Sequence, residues 1–290
     1  MTHVLFYGRP LPGMTETRLP GKLIVVEGTD GVGRSTQIAL LREWLEANGF
    51  AATETGLTRS ELAAAGIKKA KRGHTMGDLT MNLFYATDFV DRLEKQIVPT
   101  LRAGFVVLTD RYTYSLIARA QVRGVDPQWI RDVLGFALVP DVVFYLKIDI
   151  QHLLPRVINS QGFDYWESGM DYLRSDDIYE NYVRYQTQLI AEFDKMSEEY
   201  HFHVVDANRS VPAVFSELRG SIKMIVEDLQ SPTDGAMPSA AAPRRTRSPR
   251  GAKAATRTVT AGKNMPAVKN EAAEQGQPGP GIVEGPGATV

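Results

Sequence analysis

Residues 22–36 read Lys22-Leu-Ile-Val-Val-Glu-Gly-Thr-Asp-Gly-Val-Gly-Arg-Ser-Thr36, an apolar run followed by glycines and the start of a helical pattern. Gly28, Gly33, Arg34 and Ser35 match the pattern G-x-x-x-x-G-K-[ST] except that Arg34 replaces lysine. Glycines let several backbone N–H groups converge on an anion, and a helix N-terminus adds more. This glycine loop (residues 28–36) therefore predicts a phosphate-binding site; a tight turn without that role is the alternative.

The composition is that of an ordinary soluble protein, with 290 residues, 43% hydrophobic, 23% charged and no cysteine. No apolar run approaches the ~18 residues needed to span a bilayer, and the N-terminus lacks the order of a secretory signal. We therefore expect a cytoplasmic protein without membrane contact. The absence of cysteine excludes disulfides, thiolate catalysis and cysteine metal sites.

Apolar runs alternate with helical patterns along most of the chain. Such alternation predicts an α/β fold, a P-loop three-layer sandwich with a central parallel sheet of about five strands and helices on both faces. A long helix is predicted over 77–102, with an apolar stripe from Leu79 and Leu83 to Leu101. The predicted strands are Leu23–Val26, Ala51–Thr53, Phe105–Leu108, Val142–Ile148 and His203–Val205.

Composition also divides the chain into three parts. Residues 1–20 predict an irregular leader, residues 21–230 the folded domain, and residues 231–290 a disordered tail rich in Pro, Gly and Ala. The tail carries eight basic and four acidic residues, a net +4 that leaves −5 for the remainder. Its run Arg244–Arg250 allows contact with nucleic acid, but the composition favours a passive basic tail.

Two further clusters carry charge. Asp110, Arg111 and Tyr112 follow an apolar strand, where a parallel sheet presents functional groups. Asp110 is a candidate to hold Mg²⁺ together with Ser35, and Arg111 to bind an acceptor phosphate. The basic run Lys68–Arg72 is more typical of a solvated helix face than of a segment that guides an anionic substrate.

In its motifs the chain resembles the thymidylate kinase family of nucleoside-monophosphate kinases over roughly residues 22–228. The resemblance implies phosphorylation of dTMP to dTDP in deoxynucleotide biosynthesis, with ATP and Mg²⁺, by a homodimer. The matching stretches keep the order and spacing of the family; they are Val26–Thr36, Leu83–Asp88, Ile97–Leu101, Asp110–Ser115, Tyr179–Arg184 and Val205–Ser210.

The resemblance also implies a donor site. The glycine loop would hold the phosphates of ATP, through Gly28, Asp30, Gly31, Gly33, Arg34, Ser35 and Thr36. Arg156 and residues 159–167 occupy the position of a mobile lid, which excludes water from the transferred group. Positive charge would come from Mg²⁺, Arg34, Arg111 and Arg156, and Asp110 completes the implied catalytic set.

For the acceptor, the resemblance implies phosphate contacts from Arg111 and Arg59. Asp30 would face the sugar and the phosphate, and Tyr85 would stack on the pyrimidine. The full set of acceptor residues implied is Asp30, Arg59, Tyr85, Phe89, Arg111 and Ser115.

Several positions depart from the family pattern. Phe89 stands where the family has an arginine that reads the thymine edge, and Arg119-Ala120 replaces a tyrosine-glutamine pair. The lid segment Phe163–Trp166 is aromatic rather than arginine-rich. Two alternatives to a dTMP kinase therefore stay open, a kinase for another nucleoside monophosphate or polyphosphate, and a non-catalytic nucleotide-binding protein.

Overall fold

The computed structural model of the protein describes residues 6–14, 18–73, 76–160, 162–173 and 175–229. Within them lies a five-stranded parallel sheet in the order β2-β3-β1-β4-β5. The strands are β1 Lys22–Glu27, β2 Ala52–Gly56, β3 Val106–Asp110, β4 Val142–Lys147 and β5 His203–Asp206. This sheet confirms the α/β prediction.

Helices cover both faces of the sheet because β1 is apolar on both. Leu23 and Val25 belong to one buried cluster, whereas Ile24 and Val26 belong to another. The helices are α1 Arg34–Ala47, α2 Ala64–Gly73, α3 Asp78–Arg92, α4 Val98–Arg102, α5 Thr113–Val122, α6 Pro127–Val133, α7 Ile150–Ile158, α8 Ile178–Glu199 and α9 Val211–Val226. In the described ranges, none of them is both long and apolar enough to cross a bilayer.

The predicted long helix over 77–102 consists of α3 and α4 joined by a π-helical turn at Leu93–Ile97. One part of its predicted apolar stripe is wrong, since the side chains of Leu79 and Leu83 are exposed at the start of α3. Helix α7 begins just after β4. It contains Pro155, a residue that ordinarily argues against a helix interior.

The described part of the leader runs along the domain. Phe6 forms an isolated antiparallel bridge with Leu138, and the N–H of Tyr7 donates to the carbonyl of Ala137 at 3.1 Å. Leu11 is buried. The predicted tail over 231–290 lies outside the described residues.

Strand register sets the position of the functional groups. Val26 of β1 pairs with Asp110 of β3, and Glu27 pairs with Tyr145 of β4. The glycine loop therefore leaves the sheet beside the carboxyl end of β3. Ligands of open parallel sheets bind at this edge.

Candidate active site

The glycine loop leaves β1 with backbone angles that favour glycine. Gly28, Gly31 and Gly33 have φ values of 143°, 82° and 103°. A Cβ atom on Gly28 would lie 2.8 Å from the carbonyl oxygen of Leu146 in β4. The loop can therefore follow the sheet edge closely, and Ser35 and Thr36 fall in the first turn of α1.

Arg34, the residue in place of the motif lysine, is buried inside the loop. Its Nη1 donates to the carbonyl oxygens of Gly28, at 2.5 Å, and Thr29. Its Nε donates to Oδ1 of Asp110 at 2.7 Å. Burial acts to raise the pKa of Asp110, but the Arg34 charge and hydrogen bonds outweigh it, so the pKa lies below its usual value. Arg34 thus ties the loop to the end of β3.

Ser35 and Asp110 form an oxygen pair beside this ion pair. Ser35 Oγ donates to Asp110 Oδ2 at 2.7 Å. Among the described residues, no group of three or more His, Cys, Asp or Glu side chains is arranged to hold a metal ion. Mg²⁺ commonly uses one or two protein oxygens and completes its shell with phosphates and water, so these two side chains fit such an ion.

Asp30, within the loop, pairs with three arginines, one from α1, one from α5 and one from the turn after β3. It contacts Nη2 of Arg111, accepts from Nη2 of Arg119 at 2.7 Å, and lies 3.8 Å from Nη2 of Arg34. Burial and the nearby charge of Arg119 lower the pKa of Arg111. Three guanidinium groups thus converge on one carboxylate, an arrangement that offers several N–H donors to an anion.

Glu27, which no sequence motif singled out, anchors the segment that follows Arg111. Its buried carboxylate accepts the N–H of Tyr112 at 2.7 Å, the N–H of Ser115 at 3.2 Å and the hydroxyl of Ser115 at 2.6 Å. These bonds fix the turn in which Arg111 adopts a φ of 69°. The place of Glu27 at the end of the apolar strand β1 could have indicated a role, because a buried carboxylate needs hydrogen-bond partners.

One cavity, of about 240 Å³, lies on the arginine side of the loop. Tyr85 and Arg111 line it, as predicted for acceptor residues, together with Arg119, which comes from the departure Arg119-Ala120. The other lining residues are Leu57, Thr58, Lys71, Met76, Asp78, Met81, Asn82, Leu116, Arg123, Trp166, Glu167, Asp171 and Tyr185.

Three predicted acceptor residues do not line this cavity. Arg59 is 45% exposed and pairs with Glu54 at 3.6 Å. Ser115 is buried against Glu27. Phe89, also predicted as a substrate-binding residue, is fully buried in the core.

A second cavity, of about 360 Å³, lies on the other side of the glycine loop and is lined by Gly31, Val32 and Gly33. Arg156, predicted as a lid residue, also lines it and donates to the carbonyls of Val32 at 3.1 Å and Ala207 at 2.7 Å. Arg156 therefore joins the glycine loop to the segment after β5.

Residues 26–218 match the family model described as thymidylate kinase. The chain belongs to the thymidylate kinase family. Membership makes it a phosphotransferase with a nucleotide donor and a nucleoside-monophosphate acceptor, and it confirms the resemblance found from the motifs.

Three similar proteins carry the name thymidylate kinase. The chain is 36% identical over 201 residues to "Probable thymidylate kinase 2" of Saccharolobus solfataricus, covering 69% of this chain and 94% of that protein. It is 34% identical to "Probable thymidylate kinase" of Methanocaldococcus jannaschii, covering 70% and 96%. It is 30% identical to "Thymidylate kinase" of Brachyspira hyodysenteriae, covering 71% and 95%.

In this thymidylate kinase family member, Phe89 has a packing role. Its ring contacts Tyr112 edge-on, with centroids 4.9 Å apart, and stacks on Phe136 at 5.5 Å. Asp88, next to it, accepts the N–H groups of Thr58 and Ser60 at 3.0 Å each and holds the loop that precedes α2. The departure at position 89 therefore changes the core and not the lining of the acceptor cavity.

Restoring the family residue with Phe89→Arg should destabilise the protein by about 3–5 kcal/mol or more, because it removes a buried ring and buries a charge. Urea unfolding measures the loss, with Phe89→Leu as the apolar control, which should cost less. A variant as stable as the unaltered protein would contradict this placement of Phe89.

Glu27 makes stability depend on pH. Burial raises its pKa above the ordinary value despite the hydrogen bonds from Ser115 and Tyr112. A raised folded-state pKa favours the folded state most below the unfolded pKa, and the benefit is lost as pH rises through the folded pKa. The free energy of unfolding of the unaltered protein, relative to Glu27→Gln, should therefore fall as pH rises from about 4.5 toward neutral.

The measurement is urea unfolding of both proteins across that range, with the exposed Glu43→Gln variant as the control. A constant difference between the unaltered protein and Glu27→Gln at all pH values would show that the Glu27 carboxyl is not the titrating group.

Proposed function

We propose that the chain transfers the γ-phosphoryl group of ATP to dTMP across the glycine loop, with ATP on the side of Gly31 and Gly33 and dTMP on the side of Arg111. The carrying observation is that this loop lines one cavity directly and is joined by Asp30 to the arginines of another. Gly31 and Gly33 line the larger cavity, whereas Asp30 pairs with two arginines that line the smaller one. Phosphoryl transfer needs donor and acceptor phosphates in line, and a shared loop provides that alignment.

On the acceptor side, Arg111 binds the phosphate of dTMP. Its guanidinium lines the cavity and is held by Asp30, and the guanidinium donors gathered there suit a dianion. The ring of Tyr85 lines the same cavity and stacks on the thymine. Arg59, at the exposed end of β2, acts on the acceptor only from outside the cavity.

On the donor side, backbone N–H groups of the glycine loop and the N-terminus of α1 bind the ATP phosphates. Ser35 and Asp110 hold Mg²⁺, which supplies positive charge to the phosphate oxygens. Arg34 holds the loop carbonyls and Asp110 in one arrangement, so its contribution is mainly to position these groups. Arg156 bounds the donor cavity and excludes water from it.

A homodimer in the cytoplasm is also proposed. Leu79 and Leu83 lie one helical turn apart at the start of α3 and are 55% and 47% exposed. Leu62, just before α2, is 68% exposed. Exposed apolar side chains of this size often mark an interface between protein chains, and the mass in solution decides between monomer and dimer.

The test of function is ADP release with ATP, Mg²⁺ and a series of monophosphates. We expect turnover with dTMP, and Arg111→Ala should lower kcat/KM for dTMP by about 10–100-fold because a charge-assisted hydrogen bond is lost. Binding of ATP, measured by calorimetry, should change little. Arg111→Lys is the matched variant that keeps the charge.

Two results would contradict this proposal. ADP release with another monophosphate but not with dTMP would favour a different acceptor. Binding of ATP without release of ADP for any acceptor would favour a nucleotide-binding protein without catalysis.

Arg34→Lys should raise KM for ATP and lower kcat, so that kcat/KM for ATP falls by about tenfold. The reason is that one ammonium cannot replace hydrogen bonds to both Asp110 and the loop carbonyls. The same assay measures it at varied ATP. Arg34→Met, which also removes the charge, should in addition lower the melting temperature. A faster Arg34→Lys enzyme would mean that the arginine impedes catalysis instead of organising the loop.

A further inference from the structure

The basic run of α2 is not one uniform solvated face. Lys68, Lys69 and Arg72 are exposed, whereas Lys71 is half-buried and lines the acceptor cavity. The helix explains the difference, since Lys71 lies four residues after the fully buried Ile67 and so shares its inward face. One of these four cations therefore points toward the acceptor.

The surroundings of Lys71 are aromatic. Its Nζ lies 5.8 Å from the centroid of the Tyr85 ring and 5.9 Å from that of Trp166. The indole N–H of Trp166 donates to the backbone carbonyl of Lys71 at 3.2 Å. None of the ion pairs found among the described residues involves the Lys71 ammonium, and both rings lie within cation–π distance of it.

The cavity thus has two kinds of cation. Arg111 and Arg119 are both paired with Asp30 of the glycine loop, which assigns them to the phosphate side. Lys71 lies over the ring of Tyr85, where a nucleobase would stack. An ammonium group only donates hydrogen bonds, and its partner on a base must be a carbonyl oxygen or a ring nitrogen with a lone pair.

We infer that Lys71 is a specificity-determining residue that donates a hydrogen bond to a carbonyl oxygen on the edge of the acceptor base. This inference rests on the proposed function of the cavity as the dTMP site. A base that stacks on the Tyr85 ring takes the place of the Lys71 ammonium over that ring. The ammonium then lies at the edge of the base, and a hydrogen bond to a base carbonyl replaces its cation–π contact with Tyr85. Thymine carries a carbonyl at C4, whereas cytosine carries an amino group there, which is itself a donor.

Phe89 cannot supply this contact because it is fully buried in the core. Trp166 is linked to the base through Lys71, since its indole is bonded to the Lys71 backbone. The hydrogen bond between Trp166 and Lys71 therefore connects α2, which carries the base-reading residue, to the segment 162–173. The aromatic segment Phe163–Trp166 would then help to cover the bound acceptor.

The experiment compares Lys71→Met with Lys69→Met, which removes an exposed charge from the same helix. Methionine keeps the apolar stem and removes the donor. We expect Lys71→Met to raise KM for dTMP by about tenfold, the scale of one charged hydrogen bond, with KM for ATP unchanged. The preference for dTMP over dCMP should fall by a similar factor. Lys71→Arg should retain most of both.

Calorimetric titration with dTMP and with dCMP, without ATP, gives a readout independent of turnover. If Lys71→Met binds both nucleotides as Lys69→Met does, the inference is wrong while the proposed function stands. If the unaltered chain neither binds nor phosphorylates dTMP, the proposed function fails, and the inference fails with it. A loss of dTMP and dCMP binding by the same factor would also overturn base reading by Lys71.

Discussion

The ion pair between Arg34 and Asp110 links the two strands on which the rest of the site is built. One guanidinium joins the first loop carbonyls after β1 to the carboxylate that ends β3. A buried charge pair of this kind is costly to separate, because each partner would be left unpaired away from water. The glycine loop is thus held against β3 before any ligand binds, and Ser35 is brought to the same carboxylate.

A second set of charges determines which ligand the loop faces. Asp30 pairs with Arg111 and Arg119 and is also close to Arg34, so three guanidinium groups surround one carboxylate on this side of the loop. Glu27 fixes the turn that carries Arg111. Arg111 tolerates a positive φ because its neighbours Asp110 and Tyr112 are both anchored. The strain and the charge occur together where a phosphate is expected to bind, as is common at functional sites.

Kinase chemistry asks a protein mainly to align two phosphates and to stabilise charge between them. Under the proposed function, the two cavities next to the glycine loop serve the alignment and the arginines serve the charge. Substitution of arginine for the motif lysine changes how this is done. A planar guanidinium bonds to several fixed acceptors at once, so position 34 organises the loop where a lysine would act as a point charge.

The sequence alone determined the strand, loop and helix of residues 22–36, the parallel sheet and the family. These depend on local patterns of apolar residues and glycine, which can be read directly in the sequence. It left undecided where single side chains point. Phe89 and Lys71 both lie in helical patterns, and only the packing of α2 and α3 on the sheet buries the first and turns the second into the acceptor cavity. Helix rotation is set by the whole set of buried neighbours, such as Ile67, and that sum is a property of the tertiary structure.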